Sequence, residues 1–173
     1  MVQVRLLSQQ DWKTLRDVRL AALADAPYAF WATFQEESRF DQGQWRRFLK
    51  AAAWWTASRN DRVVGVVAVL RRDETLDEAE LIAMWVAPDE RRRGTAARML
   101  QAACEWAGTA GTQTLTLWVT EGNDPAKRLY ESWGFQATGE RADLPHTAAT
   151  GEERMQLQLS DPRWRLARPP SGV

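Results

Sequence analysis

The stretch from Leu81 to Ala107 constrains the fold more than any other part of the chain. Leu81-Ile82-Ala83-Met84-Trp85-Val86 is an apolar run of strand length, closed by Ala87-Pro88. The turn Arg91-Arg92-Arg93-Gly94-Thr95-Ala96 follows. From Ala96 to about Ala107, Met99/Leu100, Ala103 and Ala107 recur on one helical face. A strand, a short basic turn of small residues and a helix leave free backbone N–H groups at a positive helix end, which suits a phosphate or pyrophosphate. Gly94 and Ala96 are small where such a group must approach the backbone. The turn has no Gly-Lys-Ser/Thr and no G-x-G-x-x-G, so neither the P-loop nor the dinucleotide fingerprint applies.

The bulk of the chain narrows the functional classes. Its 173 residues suffice for one domain with its own core. The net charge is zero, which provides no field for nucleic acid. The one cysteine, Cys104, excludes an intramolecular disulfide and the common zinc clusters, so no metal is expected. Cys104 falls inside the helix after the arginine turn, as a buried structural thiol would. His146 is the only histidine and lies in a Pro/Thr/Ala/Gly loop without a nearby nucleophile, a poor basis for Ser-His-Asp or Cys-His chemistry. Gln3, Arg5 and Gln9-Gln10-Asp11 interrupt any signal-like start, and the longest apolar run, Val63 to Leu70, is too short to span a bilayer. A cytoplasmic protein with no membrane or nucleic-acid partner is the expectation.

Local patterns set the order of elements. Val2 to Leu6 alternates as a first strand. Ser8-x-x-Asp11 predicts a capping box ahead of a helix that carries Trp12, Leu15, Arg19 and Ala22 and stops at Asp25-Ala26-Pro27. A second helix is predicted from about Asp41 to Ala52. Trp54–Ser58 and Val63–Leu70 read as a hairpin around Arg59-Asn60-Asp61. An acidic loop (Asp73, Glu74, Asp77, Glu78) precedes the strand that feeds the arginine turn. Thr114–Val119 is a further strand, and Asn123-Asp124-Pro125 opens a short helix stopped by Gly134. Strands over Phe135–Gly139 and Arg154–Leu159 surround a Pro/Thr/Gly loop. From Asp161 the chain reads as a poorly ordered tail. The result is a mixed α/β layer fold without internal repeats: residues 1–160 as one domain, then a tail over 161–173.

Two motifs together resemble one family. Arg91-x-x-Gly94-x-Ala96, led by Trp85-Val86-Ala87-Pro88, is similar to the Gln/Arg-x-x-Gly-x-Gly/Ala acetyl-CoA motif of the GNAT N-acetyltransferase superfamily. Asn123-x-x-Ala126-x-x-x-Tyr130, followed by Trp133-Gly134-Phe135, resembles its second signature. Both fall in the right order on the predicted elements, and the likeness covers roughly residues 2–160, most weakly between Pro27 and Trp54. It implies the acyl-CoA N-acyltransferase fold, a twisted mixed sheet of about six to seven strands flanked by helices.

The same resemblance implies an acetyltransferase that moves acetyl directly from acetyl-CoA to a primary amine through a tetrahedral intermediate. In that reading the backbone of Arg92, Arg93, Gly94, Thr95, Ala96 and Ala97 holds the pyrophosphate, with Arg91 and its neighbours adding charge. Trp85 and Val86 line the pantetheine arm, and main-chain N–H groups near Val86 stabilise the oxyanion. Asn123 and Lys127 contact the cofactor. Tyr130 is the general acid for the leaving thiolate. Glu80, placed at the start of its strand like the catalytic glutamate of the histone-type members, is the candidate base. Ordered water is the alternative, and Glu36, Glu37 and Glu78 compete to draw in a cationic substrate. Ala96 departs from the commoner glycine within the family's range.

The acceptor has no readable code. A small amine, such as an antibiotic or amino metabolite, is the first reading. A protein N-terminal or lysine acceptor and a non-catalytic acyl-CoA module are the alternatives. A homodimer is compatible with the ten tryptophans.

Overall fold

Asn60 and Asp61 both adopt positive φ, 49° and 60°, the geometry that a two-residue hairpin turn needs to match strand twist. The turn joins β2 (Ala52–Arg59) to β3 (Arg62–Leu70), and the structure, a computed structural model, describes residues 1–71, 77–145 and 151–167. The remaining strands are β1 (Gln3–Leu6), β4 (Glu78–Val86), β5 (Thr114–Thr120), β6 (Gln136–Asp143) and β7 (Gly151–Gln158). They form a seven-stranded sheet in the order β1-β2-β3-β4-β5-β7-β6. Only β4 and β5 run parallel, and the connection between them crosses over through a helix, as a parallel pair requires.

The helices are α1 (Trp12–Asp25), α2 (Phe34–Glu37), α3 (Gln42–Ala51), α4 (Thr95–Thr109), α5 (Asp124–Ser132) and α6 (Arg163–Leu166). The Ser8–Asp11 capping box forms, but it opens a 3-10 turn over Gln9–Asp11 that leads into α1. Matching boxes, Thr33–Glu36 and Asp41–Gln44, start α2 and α3. α1 and α3 pack on one sheet face, where the Trp54 indole stacks on Phe48 and donates to the Phe48 carbonyl at 2.9 Å. α4 covers the other, with Trp106 edge-on to Trp55 at 5.7 Å. Gly65 permits the close approach of α4 at Met99, because a Cβ there would stand 2.9 Å from the Met99 methyl and 3.0 Å from the Trp85 carbonyl oxygen.

Two expectations change. The segment after Asp161 is not loose throughout: α6 buries Trp164, whose indole donates to the Leu159 carbonyl at 3.0 Å. The last two strands also lie a few residues away from their predicted bounds, since Gly139 (φ 86°) and a register shift between Ala137 and Arg141 lengthen β6 around an irregularity. His146, Asp73, Glu74 and the tail from residue 168 lie outside the described residues.

Cys104 sits fully inside the α4 core, and burial pushes its thiol up to about 12. Native protein is therefore expected to give no colour with Ellman's reagent, and guanidinium-unfolded protein one thiol per chain. Colour from the native state would place Cys104 at the surface.

Candidate active site

Ala83, in the middle of β4, takes φ 58°, a conformation rarely adopted by a side-chain-bearing residue inside a strand. It marks a bulge: Val66 pairs with Trp85, whereas Ala68 pairs with Ile82, so β4 carries one extra residue. Hydrogen-bonded pairing of β4 with β5 runs from Glu78/Thr114 to Leu81/Leu117 and stops there. Beyond that rung Ile82–Val86 stay with β3, while Trp118–Thr120 stay with β7. The bend of a bulged strand accounts for the parting. A slot opens at the carboxyl end of the parallel pair, where open α/β sheets bind ligands.

Two helices begin at that same edge. α4 starts from Gly94, at φ 77°, with no side chain capping it. A Cβ built on Gly94 would meet nothing within 4 Å, so the space in front of the helix end is open. Thr95 follows, only 1% exposed, and its Oγ1 is buried without a hydrogen-bond partner. An uncapped positive end, a cradle without side chains and an orphaned hydroxyl fit a phosphate group. α5 starts from Asn123, whose side-chain oxygen accepts from the Ala126 N–H at 3.4 Å. Its amide NH₂ keeps two donors for other partners.

The arginine turn divides its charges. Arg91 donates through Nε to the Val86 carbonyl at 3.0 Å, and its guanidinium also pairs with Asp25 at the end of α1. Asp25 in turn accepts from the Trp85 indole at 2.8 Å. Arg91 and Trp85 thus brace the slot's β4 wall against α1. Arg93 pairs at 3.4 Å with the buried Glu90, which also takes the Arg59 Nε at 2.8 Å. Arg92, at φ 60°, has no acidic partner among the described residues. Lys127 pairs with Glu153 at 2.7 Å, which places it on the β7 side of α5.

Tyr130 is 5% exposed and its ring packs on Phe135 at 5.7 Å. Burial pushes its hydroxyl well above the usual phenol value, so it stays protonated. Glu80 pairs across with Thr116, one rung before the strands part. By strand alternation it faces the α1/α3 side together with Thr116, Trp118, Thr120, Arg154 and Glu152.

The other expected acceptor acids do not converge. Glu37 is a correction: it is 2% exposed and bound to Arg19 through two hydrogen bonds of 2.9 Å, a structural pair rather than a substrate attractor. Glu36 caps α2, and Glu78 pairs with Arg154 at 2.5 Å. Unannounced in the sequence reading are Asp25, Trp31 and Glu152. Trp31 donates its indole N–H to Glu152 at 2.6 Å across 121 residues. Among the described residues no group of three or more His, Cys, Asp or Glu side chains is placed to hold a metal, and no helix is long and apolar enough to cross a membrane.

Comparisons agree with this geometry. The chain is 37% identical over 84 residues to the [ribosomal protein bS18]-alanine N-acetyltransferase of Salmonella typhimurium, covering 49% of this chain and 57% of the relative. It spans between 28% and 57% of the length of the curated relatives it matches. Among solved structures, yncA of Salmonella typhimurium with its cofactor acetyl-CoA superposes at a TM-score of 0.75, 18% identical, over 93% of this chain and 95% of that one. The spermidine N-acetyltransferase of Vibrio cholerae in complex with CoA and spermine superposes at 0.74, 16% identical, over 95% and 98%. The family model for the acetyltransferase (GNAT) family matches residues 18–135. With the bulged β4, the split from β5 and the uncapped α4 turn all inside the matched region, the chain belongs to the GNAT acetyltransferase family.

Proposed function

We propose that this protein is an N-acetyltransferase that uses acetyl-CoA to acetylate a primary amine of a small molecule. The observation that carries the reading is the slot between β4 and β5 flanked by the open helix start at Gly94–Thr95. Bound acetyl-CoA supplies an activated acetyl thioester. The N–H groups of Gly94 to Ala97 and the Thr95 hydroxyl hold the pyrophosphate, and Arg92 is the arginine of the turn left for the outer phosphate. Trp85 and Val86 form one wall, kept straight by Arg91 and Asp25. Asn123 donates from α5 while its oxygen caps the helix.

Tyr130 remains protonated and offers its hydroxyl to the departing sulfur. Glu80 lies one rung below the split on the face open to the acceptor, where a carboxylate can take the amine's proton. A second reading, acetylation of a protein N-terminus, is favoured by the bS18-alanine relative.

The test is calorimetry with CoA, then an amine panel that includes spermidine, an arylalkylamine and an alanine-starting peptide, read as released thiol. Wild type is expected to bind CoA and to turn over at least one amine. Gly94→Val fills the open cradle and strains a left-handed position by about 1–2 kcal/mol. It is expected to weaken CoA binding more than tenfold. CoA bound equally well by Gly94→Val would remove the phosphate assignment, and tight CoA binding without transfer would leave a non-catalytic module.

A further inference from the structure

Most buried or half-buried carboxylates around the slot have a cation of their own. Glu37 has Arg19, Glu90 has Arg59 and Glu153 has Lys127. Glu152 has none. It is 3% exposed, and its one hydrogen-bond partner among the described residues is the neutral Trp31 indole, on Oε2 at 2.6 Å. Oε1 is left with spare acceptor capacity. A carboxylate this deep ordinarily has a compensating positive charge, and here the described residues do not provide it.

The position of Glu152 says where that charge comes from. It opens β7 opposite Thr120, at the carboxyl end of β5, one strand beyond the slot. Its side chain shares the α1/α3 face with Glu80, whose charge adds to the upward push that burial exerts on the Glu152 carboxyl. Trp31 is 55% exposed although its N–H is fixed, and its indole stands beside the carboxylate. An indole face attracts cations, more strongly where water is thin. The segment that carries Trp31 is anchored from below, since the Arg19 guanidinium, gripped by Glu37, lies under the Phe30 ring at 4.8 Å. The side chain is therefore held in place before any ligand arrives.

We propose that Glu152 and Trp31 receive the ammonium of the acceptor, the carboxylate as its counter-charge and the indole as its wall. The assignment rests on the N-acetyltransferase reading above and names the side chains that select a cationic amine for that site. It makes Glu152 a binding and specificity residue rather than part of the acetyl-CoA cradle at the start of α4.

The test uses the full chain and whichever amine of the panel the wild type acetylates. Glu152→Gln keeps the shape and the oxygen that accepts from Trp31 but removes the charge. It is expected to raise KM for a cationic acceptor at least fivefold, with a smaller change in kcat and with CoA affinity within twofold of wild type. Trp31→Phe, which removes the N–H tether, is expected to raise KM in the same direction, and Glu152→Asp to recover part of the loss. A Glu152→Gln KM within fivefold of wild type, or a rise matched by equal loss of CoA affinity, overturns the assignment. Failure of the wild type to acetylate any amine in the panel is a separate result, and it overturns the enzymatic reading beneath it.

Discussion

Tyr130→Phe is expected to lower kcat by about two to three orders of magnitude while CoA affinity stays within a factor of two. The substitution removes one oxygen and leaves the ring, which keeps its packing on Phe135. Burial already holds the hydroxyl protonated, and in the proposed mechanism it donates to sulfur as the C–S bond breaks. A donor that acts only as charge develops on the leaving atom lowers the barrier without tightening the ground state, and its loss therefore appears in kcat. Because burial raises the hydroxyl's pKa, wild-type kcat should show no descending limb assignable to Tyr130 at or below its ordinary value of about 10. Single-turnover measurement separates this step from product release. A kcat within threefold of wild type would remove Tyr130 from the chemistry and return it to the core.

The elements of the proposed cofactor site were legible because they are local. β4, the arginine turn and α4 are contiguous, and the sequence shows the period change from strand to helix, the small residues and the positive-φ glycine in one short window. Asn123, Pro125 and Gly134 mark α5 by the same kind of local chemistry. The bulge was not legible, since alanine at φ 58° has no side-chain signature and the conformation is imposed by the strands on either side. Nor were the contacts of the proposed acceptor half. Trp31 meets Glu152 only because β7 inserts between β5 and β6, and Asp25 meets Arg91 only because α1 ends over the tip of β4. Such contacts depend on sheet order and register, which periodicity along one element does not encode. The three arginines, adjacent in sequence, also differ in ways the sequence does not show: Arg91 pairs with Asp25, Arg93 with Glu90, and Arg92 has no acidic partner among the described residues.

Glu37→Ala is expected to cost about 3–5 kcal/mol of stability, the usual consequence of leaving one member of a buried pair behind. Arg19 and Glu37 are fully engaged with each other, with side chains 10% and 3% exposed, and Arg19 Nη1 already has no partner. Removing the carboxylate strands a guanidinium that the Phe30 ring alone cannot compensate. For a chain of this size the loss corresponds to a fall in Tm of about 10 °C. The double variant Arg19→Met/Glu37→Leu replaces the pair by apolar groups of comparable volume and should recover most of the loss, because neither charge is then desolvated. Differential scanning calorimetry on the three proteins decides it. If the single and double variants melt together, the cost lies in packing rather than in the unpaired charge. If the double variant regains its stability but its KM for the acceptor stays raised, the ion pair also serves to hold the segment that carries Trp31 against β7.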